Sequence, residues 1–402
     1  MVEEKFAPRC CVINIFLVLF LKLAQGYLQS DYLTEDEETG KVLFPDASLM
    51  EAELVGEKPR LSLVSEWPSV EAYQHLGLVS AAALVNKSSS DVFILNRGDR
   101  IWDSTTFDEN NIYQKRELGP IRDGVVVRLK EGQFQNSYLH NTLYLPHGIT
   151  VDYQGNVWIT DTAMHQVFKF GPDLNPNPVL VIGEMFVPGS DGNHFCKPTH
   201  VVVLKSGEFF VADGYCNNRI MKFHSNGTFI KEWSKRSKSD GPHEHTYYDF
   251  KLPHQLAFSE ELDLLCVADR EKWRVLCYRV AANESSESQL KELIYEFPET
   301  GPRDVGPVYG VAIAPKERIL FALAGEEQSG VPTAVYMFSL ETGETLGYMT
   351  GENGNYGYAH SLASCDTDTE PGCLVVCSLD PPINQWGEIQ RRLWLYQFNA
   401  NR

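Results

Sequence analysis

Residues 146–170 read PHGITVDYQGNVWITDTAMHQVFKF. The segment holds a short apolar strand, a polar turn at Gln154–Gly155, a second apolar strand and a third, the layout of an antiparallel hairpin with one strand added. The same order recurs outward in both directions: VSAAALVNKSSSDVFILNRGDRIW (79–102), PTHVVVLKSGEFFVADGYCNNRIMKF (198–223), PHQLAFSEELDLLCVADREKWRVLCY (253–278), VYGVAIAPKERILFALAG (308–325) and YAHSLASCDTDTEPGCLVVCSLD (358–380). No helical stretch separates the copies. Recurrence at a period of about fifty residues predicts an all-β chain folded as a six-bladed β-propeller with four-stranded blades.

In a propeller the first strand of each blade lines the central channel, so the residue at its mouth matters. In register these residues are Ser80, His147, Thr199, His254, Tyr309 and His360. The histidines are separated by 107 and then 106 residues, and so fall on blades two, four and six. Alternate blades of a six-fold ring stand about 120° apart, which brings the three imidazoles to one axial point. A single histidine at a strand entrance is more often structural. Three in matched register are expected to form a zinc site rather than to be three unrelated structural residues, with three protein nitrogens and a fourth position open to water or substrate.

The rest of the chain bounds this reading. Its 402 residues are 43% hydrophobic and 11% aromatic, ample for one large all-β core. Lys5 and Arg9 precede the short apolar run CCVINIFLVLFLKLAQG, so residues 1–26 read as a secretory signal peptide. Residues 27–58 are acidic without a sustained period and read as a mobile leader, leaving 59–402 for the propeller. No second long apolar run follows, so no membrane span is expected in the mature chain. The net charge of −19 excludes nucleic acid and anionic membrane as partners. Nine cysteines, less Cys10 and Cys11 in the signal, leave seven, an odd number that implies one free or externally paired thiol. Sequons at Asn86, Asn226 and Asn283 are candidate glycosylation sites in a secreted or secretory-lumen protein.

A second aligned position, just after the repeat's Asp, holds Arg97 in LNRGD and Arg270 in VADRE, on blades that face each other across the ring. Two opposed arginines above a metal suit a carboxylate clamp. Tyr215, in DGYC, projects from the same rim. Most tyrosines there are core residues, but beside two cations and a metal its pKa of about 10 is expected to fall enough for it to act as a base. The Asp-centred words ITD, VAD and VAD resemble NHL repeats. The words RGDRIWD (97–103), ELGP (117–120), LPHGIT (145–150), HQVFKF (165–170), PGSDGNHFCKPT (188–199), DGYCNNRI (213–220), LPHQLA (252–257) and CVADRE (266–271) carry a closer likeness. In order and spacing over roughly residues 60–380, the chain resembles peptidyl-α-hydroxyglycine α-amidating lyase, the lyase half of peptidylglycine α-amidating monooxygenase.

That resemblance implies zinc on His147, His254 and His360, Tyr215 as base, and Arg97 and Arg270 as substrate-binding arginines. It implies disulfides Cys196–Cys216 and Cys266–Cys277. It implies cleavage of peptides ending in α-hydroxyglycine to the peptide amide and glyoxylate, by a monomer expected to follow a separately encoded copper-dependent hydroxylase in secretory granules. The family's structural calcium, held partly by backbone carbonyls, would fall at Val79 and Ile149. The sixth blade departs from the pattern. Tyr358-Ala359-His360-Ser361 stands where the family reads Met-Pro-His-Asp, and Ser361 replaces a calcium-binding carboxylate, so calcium is expected to bind weakly if at all. Cys365, Cys373 and Cys377 are expected to give one pair and one spare thiol, a soft metal site being the minor alternative.

Three other functions compete. Propeller hydrolases such as lactonases bind calcium through axial Asp, Asn and Glu, whereas this ring is His and hydroxyl. An NHL interaction module has no use for the histidine ring or the opposed arginines. An inactive relative is left open by Tyr358 and Ser361. His243 and His245 read as solvated residues of a polar insert, SKRSK (234–238) as a surface loop, and His165 as the turn residue of a strand.

Overall fold

The computed structural model describes residues 34–35, 42–43, 61–234, 248–280, 290–298, 305–326, 331–351, 354–365, 372–383 and 389–398. The chain divides into two units, Met1–Glu53 and Leu54–Arg402. In the first, Thr34–Glu35 pairs antiparallel with Val42–Leu43. The signal peptide, the rest of the leader, Asn283, His243 and His245 lie outside the described residues.

The second unit is six antiparallel four-stranded sheets. Blade one holds Val79–Leu84, Asp91–Asn96, Val126–Lys130 and Gln133–Tyr138. Blade two holds Pro146–Val151, Val157–Asp161, Gln166–Phe170 and Leu180–Ile182. Blade three holds His200–Val203, Phe209–Asp213, Arg219–Phe223 and Phe229–Ser234. Blade four runs from Pro253–Ser259 through Leu264–Asp269 and Arg274–Val280 to Leu290–Phe297. Blade five runs from Val308–Ala314 through Ile319–Glu326 and Val331–Ser339 to Thr345–Thr350. Blade six has Ala359–Cys365, Cys373–Ser378 and Leu393–Phe398, and takes its fourth strand from Leu61–Leu63, paired Tyr396↔Leu63 and Phe398↔Leu61. The first strand of each blade packs on the first strand of the next, and blade six returns to blade one. Six blades were expected. The closing strand was not, because three residues carry no period.

The core follows from this ring. Both faces of each blade are covered, so apolar clusters form between blades rather than in one central mass. Ala81, Phe93 and Leu95 of blade one meet Ile149, Ile159 and Phe168 of blade two. Phe210 and Ala212 of blade three meet Leu256, Leu265 and Val267 of blade four. Val79 and Ile94 close the circle against Val375 and Leu395 of blade six. Truncating one such aromatic, Phe210, to Ala should cost about 3–5 kcal/mol. Among the described residues no helix is long and apolar enough to cross a membrane.

Candidate metal centre and substrate site

The residues at the channel mouth share a backbone device. Strand register slips between Val79 and Ala81, Pro146 and Gly148, Pro253 and Gln255, Val308 and Gly310, and Ala359 and Ser361. Ser80, His147, His254, Tyr309 and His360 are therefore the extra residues of β-bulges, which leave the ladder and re-aim a side chain. On blade three, Thr199 lies one residue ahead of its strand.

The three bulged histidines meet on the axis. Their ring centroids form a nearly equilateral triangle, 4.7 Å (His147–His254), 4.6 Å (His147–His360) and 4.8 Å (His254–His360). One ring nitrogen from each lies within 4.8 Å of the others. All are buried, at 2%, 2% and 6% exposure for His147, His254 and His360. Each Nδ1 faces a backbone carbonyl: His147 to Thr199 at 2.9 Å, His254 to Tyr309 at 2.6 Å and His360 to Ser80 at 2.6 Å. A carbonyl only accepts, so each Nδ1 carries the proton and each Nε2 keeps its lone pair, the tautomer a metal requires. Burial, then the neighbouring histidines and arginines, pushes His147 well below its ordinary pKa. His254 falls to about 3 and His360 well below the ordinary value, burial again leading. Neutral imidazoles are thus held ready. The donor set fits zinc.

The repeat's Asp side chains lock the rim to this ring. Asp161 accepts from the Tyr144 and Leu145 amides, just ahead of His147, at 2.7 and 3.0 Å. Asp213 accepts from the Cys196 amide at 2.8 Å and from Arg219 Nε at 3.0 Å. Asp269 accepts from the Lys251 amide at 2.6 Å. Each rim turn is so tied to the segment that enters its own blade.

Tyr215 sits on the turn after Asp213. Its hydroxyl lies 3.0 Å from His147 Nε2 and 3.4 Å from His254 Nε2. Gly214 permits that approach, since a Cβ there would fall 2.1 Å from the Pro253 carbonyl oxygen. The Cys196–Cys216 disulfide joins this turn to the segment entering blade three, and Cys266–Cys277 links two strands of blade four. The expectation of a lowered Tyr215 pKa does not hold for the metal-free site. Burial raises it, outweighing the downward pull of Arg270 and Arg97.

Arg97 is buried, and its Nε donates to the Pro146 carbonyl at 2.7 Å. Its Nη2 has no hydrogen-bond partner, and burial lowers its pKa to about 10. Arg270 stacks on the Tyr309 ring, Cζ 4.7 Å from the centroid. Its Nε lies 3.4 Å from a Glu271 oxygen but makes no hydrogen bond. Buried guanidinium nitrogens left without acceptors beside three neutral imidazoles are what an absent anion would satisfy.

At the positions expected to hold calcium, the structure brings no carboxylate of its own to the backbone carbonyls. Val79 and Ile149 are buried and send their side chains into the inter-blade clusters. Ser361 is buried, and Gln255 reaches across from blade four, its Nε2 donating to the Leu362 carbonyl at 2.6 Å and its Oε1 accepting from the Leu362 amide at 3.1 Å. Among the described residues the histidine ring is the only group of three or more His, Cys, Asp or Glu placed to hold a metal. Neutral donors alone suit calcium poorly.

Cys365 pairs with Cys373, and Cys377 is a buried free thiol whose pKa burial raises. Asn86 and Asn226 are exposed. Sequence reasoning did not single out Trp102, whose ring packs 4.6 Å from that of Tyr215, although it lies in the RGDRIWD word. It also passed over His200, buried with Nδ1 unpartnered and its pKa lowered to about 4 by burial.

Fold and site together define an NHL-type β-propeller with three histidines converging on its axis. An NHL repeat model matches residues 143–170 and 195–223. Peptidyl-alpha-hydroxyglycine alpha-amidating lyase 2 of Drosophila melanogaster is 38% identical over 67% of this chain and 68% of its own length. A probable peptidyl-alpha-hydroxyglycine alpha-amidating lyase of Caenorhabditis elegans is 33% identical over 77% of this chain and 81% of its own. The chain belongs to the peptidyl-α-hydroxyglycine α-amidating lyase family. Peptidyl-glycine alpha-amidating monooxygenase B of Xenopus laevis is 37% identical over 79% of this chain, which spans only 35% of that protein's length. Among solved structures, a Xanthomonas campestris gluconolactonase superposes with a TM-score of 0.51 at 12% identity, over 86% of this chain and 96% of its own, a likeness of fold alone.

Proposed function

We propose that this chain is a zinc-dependent lyase that splits peptides ending in α-hydroxyglycine into the peptide amide and glyoxylate. The observation that carries the reading is the ring of His147, His254 and His360, each Nδ1 held by a backbone carbonyl and each Nε2 turned to one point. Bound there, zinc supplies a Lewis acid that polarises and acidifies the substrate's hydroxyl. Arg97 and Arg270 hold the terminal carboxylate and fix the C–N bond for cleavage. Tyr215, within 3.4 Å of two ring nitrogens, would act as its phenolate, a form that zinc on the ring and the two guanidiniums would favour against the cost of burial, and so receives the hydroxyl proton. The carbinol carbon becomes the aldehyde of glyoxylate as the C–N bond breaks, and the nitrogen takes a proton to become the amide. No external oxidant or reductant enters this balance. No step is assigned to calcium.

The hydroxyglycine substrate must come from a hydroxylating enzyme. Three disulfides favour an oxidising compartment, and so the secretory lumen or secretion. The test is glyoxylate release from an α-hydroxyglycine peptide, with and without chelator and added zinc. Chelator-sensitive release restored by zinc supports the lyase. Folded, zinc-loaded protein that releases none defeats it, leaving a propeller whose metal outlived its chemistry.

A further inference from the structure

Tyr309 holds the blade-five position of the axial ring, yet it is neither a metal ligand nor one of the three residues assigned to substrate. Two contacts set it apart. Its ring lies under the Arg270 guanidinium, Cζ 4.7 Å from the centroid. Its carbonyl takes the Nδ1 proton of His254 at 2.6 Å, and the two rings meet edge to face at 5.8 Å. It is the extra residue of the bulge between Val308 and Gly310. A Cβ at Gly310 would lie 3.0 Å from Gln255 Oε1 and 3.1 Å from the Leu362 amide, so the backbone on that side is tightly confined.

We propose that Tyr309 is a positioning residue for substrate recognition: its ring orients Arg270 toward the terminal carboxylate while its backbone fixes His254, setting the anchor against the metal. The proposal rests on the reading of Arg270 as the carboxylate anchor. An arginine over an aromatic face keeps its N–H edge free for a bidentate acceptor. The Glu271 carboxylate, 3.4 Å from Arg270 Nε, supports the guanidinium charge. Without the ring, the ion-pair partner left to Arg270 among the described residues is the side chain of Glu271, its own neighbour in sequence, and that carboxylate draws the charge from the substrate.

The test compares wild type with Tyr309→Phe and Tyr309→Leu. Tyr309→Leu should raise KM about tenfold with kcat within twofold. Zinc content should not change, because the His254 contact is to backbone. Tyr309→Phe keeps the face and should stay within about threefold of wild type in KM. An acylglycine, which has the carboxylate but no hydroxyl to eliminate, should bind Tyr309→Leu about tenfold more weakly by calorimetry, while its methyl ester binds both alike. In an Arg270→Ala background, Tyr309→Leu should add less than twofold. An unchanged KM in Tyr309→Leu, or ester binding that weakens in step with the acid, would overturn the proposal. Absence of glyoxylate from wild type would defeat the lyase reading alone, since the acid and ester titrations need no turnover.

Discussion

Blades three and six share one plan and one axis, yet their disulfides do different work. Cys196–Cys216 binds the Tyr215 turn to the segment entering blade three, at the end of the sheet that faces the histidine ring. Cys365–Cys373 joins the far ends of the first two strands of blade six, whereas His360 stands near the start of its strand. Around Tyr215 every neighbour bears on chemistry: Trp102 on its ring, two imidazoles at its hydroxyl, two guanidiniums within electrostatic reach. Around His360 the flanking Tyr358 is 52% exposed and Ser361 carries no charge. Blade three concentrates reactive groups, while blade six contributes one histidine and closes the ring.

The largest effect should ignore that difference. His254→Ala and His360→Ala should each abolish stoichiometric zinc and lower glyoxylate release by roughly a thousandfold, the worth of several kcal/mol of charge stabilisation. Zinc retained by His360→Ala would remove blade six from the site. Replacing both members of a disulfide by serine should then separate the blades. Loss of Cys196–Cys216 should cost about 3 kcal/mol of stability and lower kcat about tenfold to a hundredfold. Loss of Cys365–Cys373 should cost about 2–3 kcal/mol and leave kcat unchanged. Equal kcat losses would mean that the Tyr215 turn gains nothing from its staple.

The pH dependence of the metal-free protein sharpens the comparison further. The folded-state pKa values of His147, His254, His360 and His200 lie below the ordinary 6.5, at about 3 for His254 and about 4 for His200. The unfolded chain therefore takes up protons first, and stability present above pH 6.5 is lost as pH falls toward 3. Each histidine contributes about 1.4 kcal/mol per pH unit within its window. Thermal unfolding of chelated protein across pH 4–7 should show this slope, and His200→Gln should reduce it without touching the zinc ligands. A flat profile would contradict the buried, neutral ring. The smallest effect concerns the departure in blade six: calcium should raise Tm more in Ser361→Asp than in wild type, by a few degrees at most.

Spacing along the chain revealed the six blades and the convergence of His147, His254 and His360, because a repeat converts sequence position directly into angle around an axis. It did not reveal why those residues point inward. The bulges at His147, His254 and His360 appear only when register with the neighbouring strand is seen. Asp161, Asp213 and Asp269 were visible as repeat marks, but not as the hydrogen-bond anchors of the rim. Tyr309 read as one more hydroxyl on the ring, since its contacts come from Arg270 and His254 of another blade. Without a metal the Tyr215 pKa is raised, because a count of nearby arginines leaves out the cost of burying a phenolate. Leu61–Leu63 stayed hidden for the same nonlocal reason, its partner strand lying at the other end of the fold.

That last pairing sets an order of events. Leu61–Leu63 is the first strand of the propeller to leave the ribosome, and Leu393–Phe398, its partner, is the last. The loop between them must close before blade six has its fourth strand, a long-range step of the kind that slows folding. The histidine triad is complete only after blade six is made, so the newborn chain can bring together two of the three imidazoles at most until synthesis is nearly over. A protease acting near the start of the propeller meets the same boundary. Cuts upstream of Leu61 spare the clasp, whereas one just beyond Leu63 would unlatch the ring.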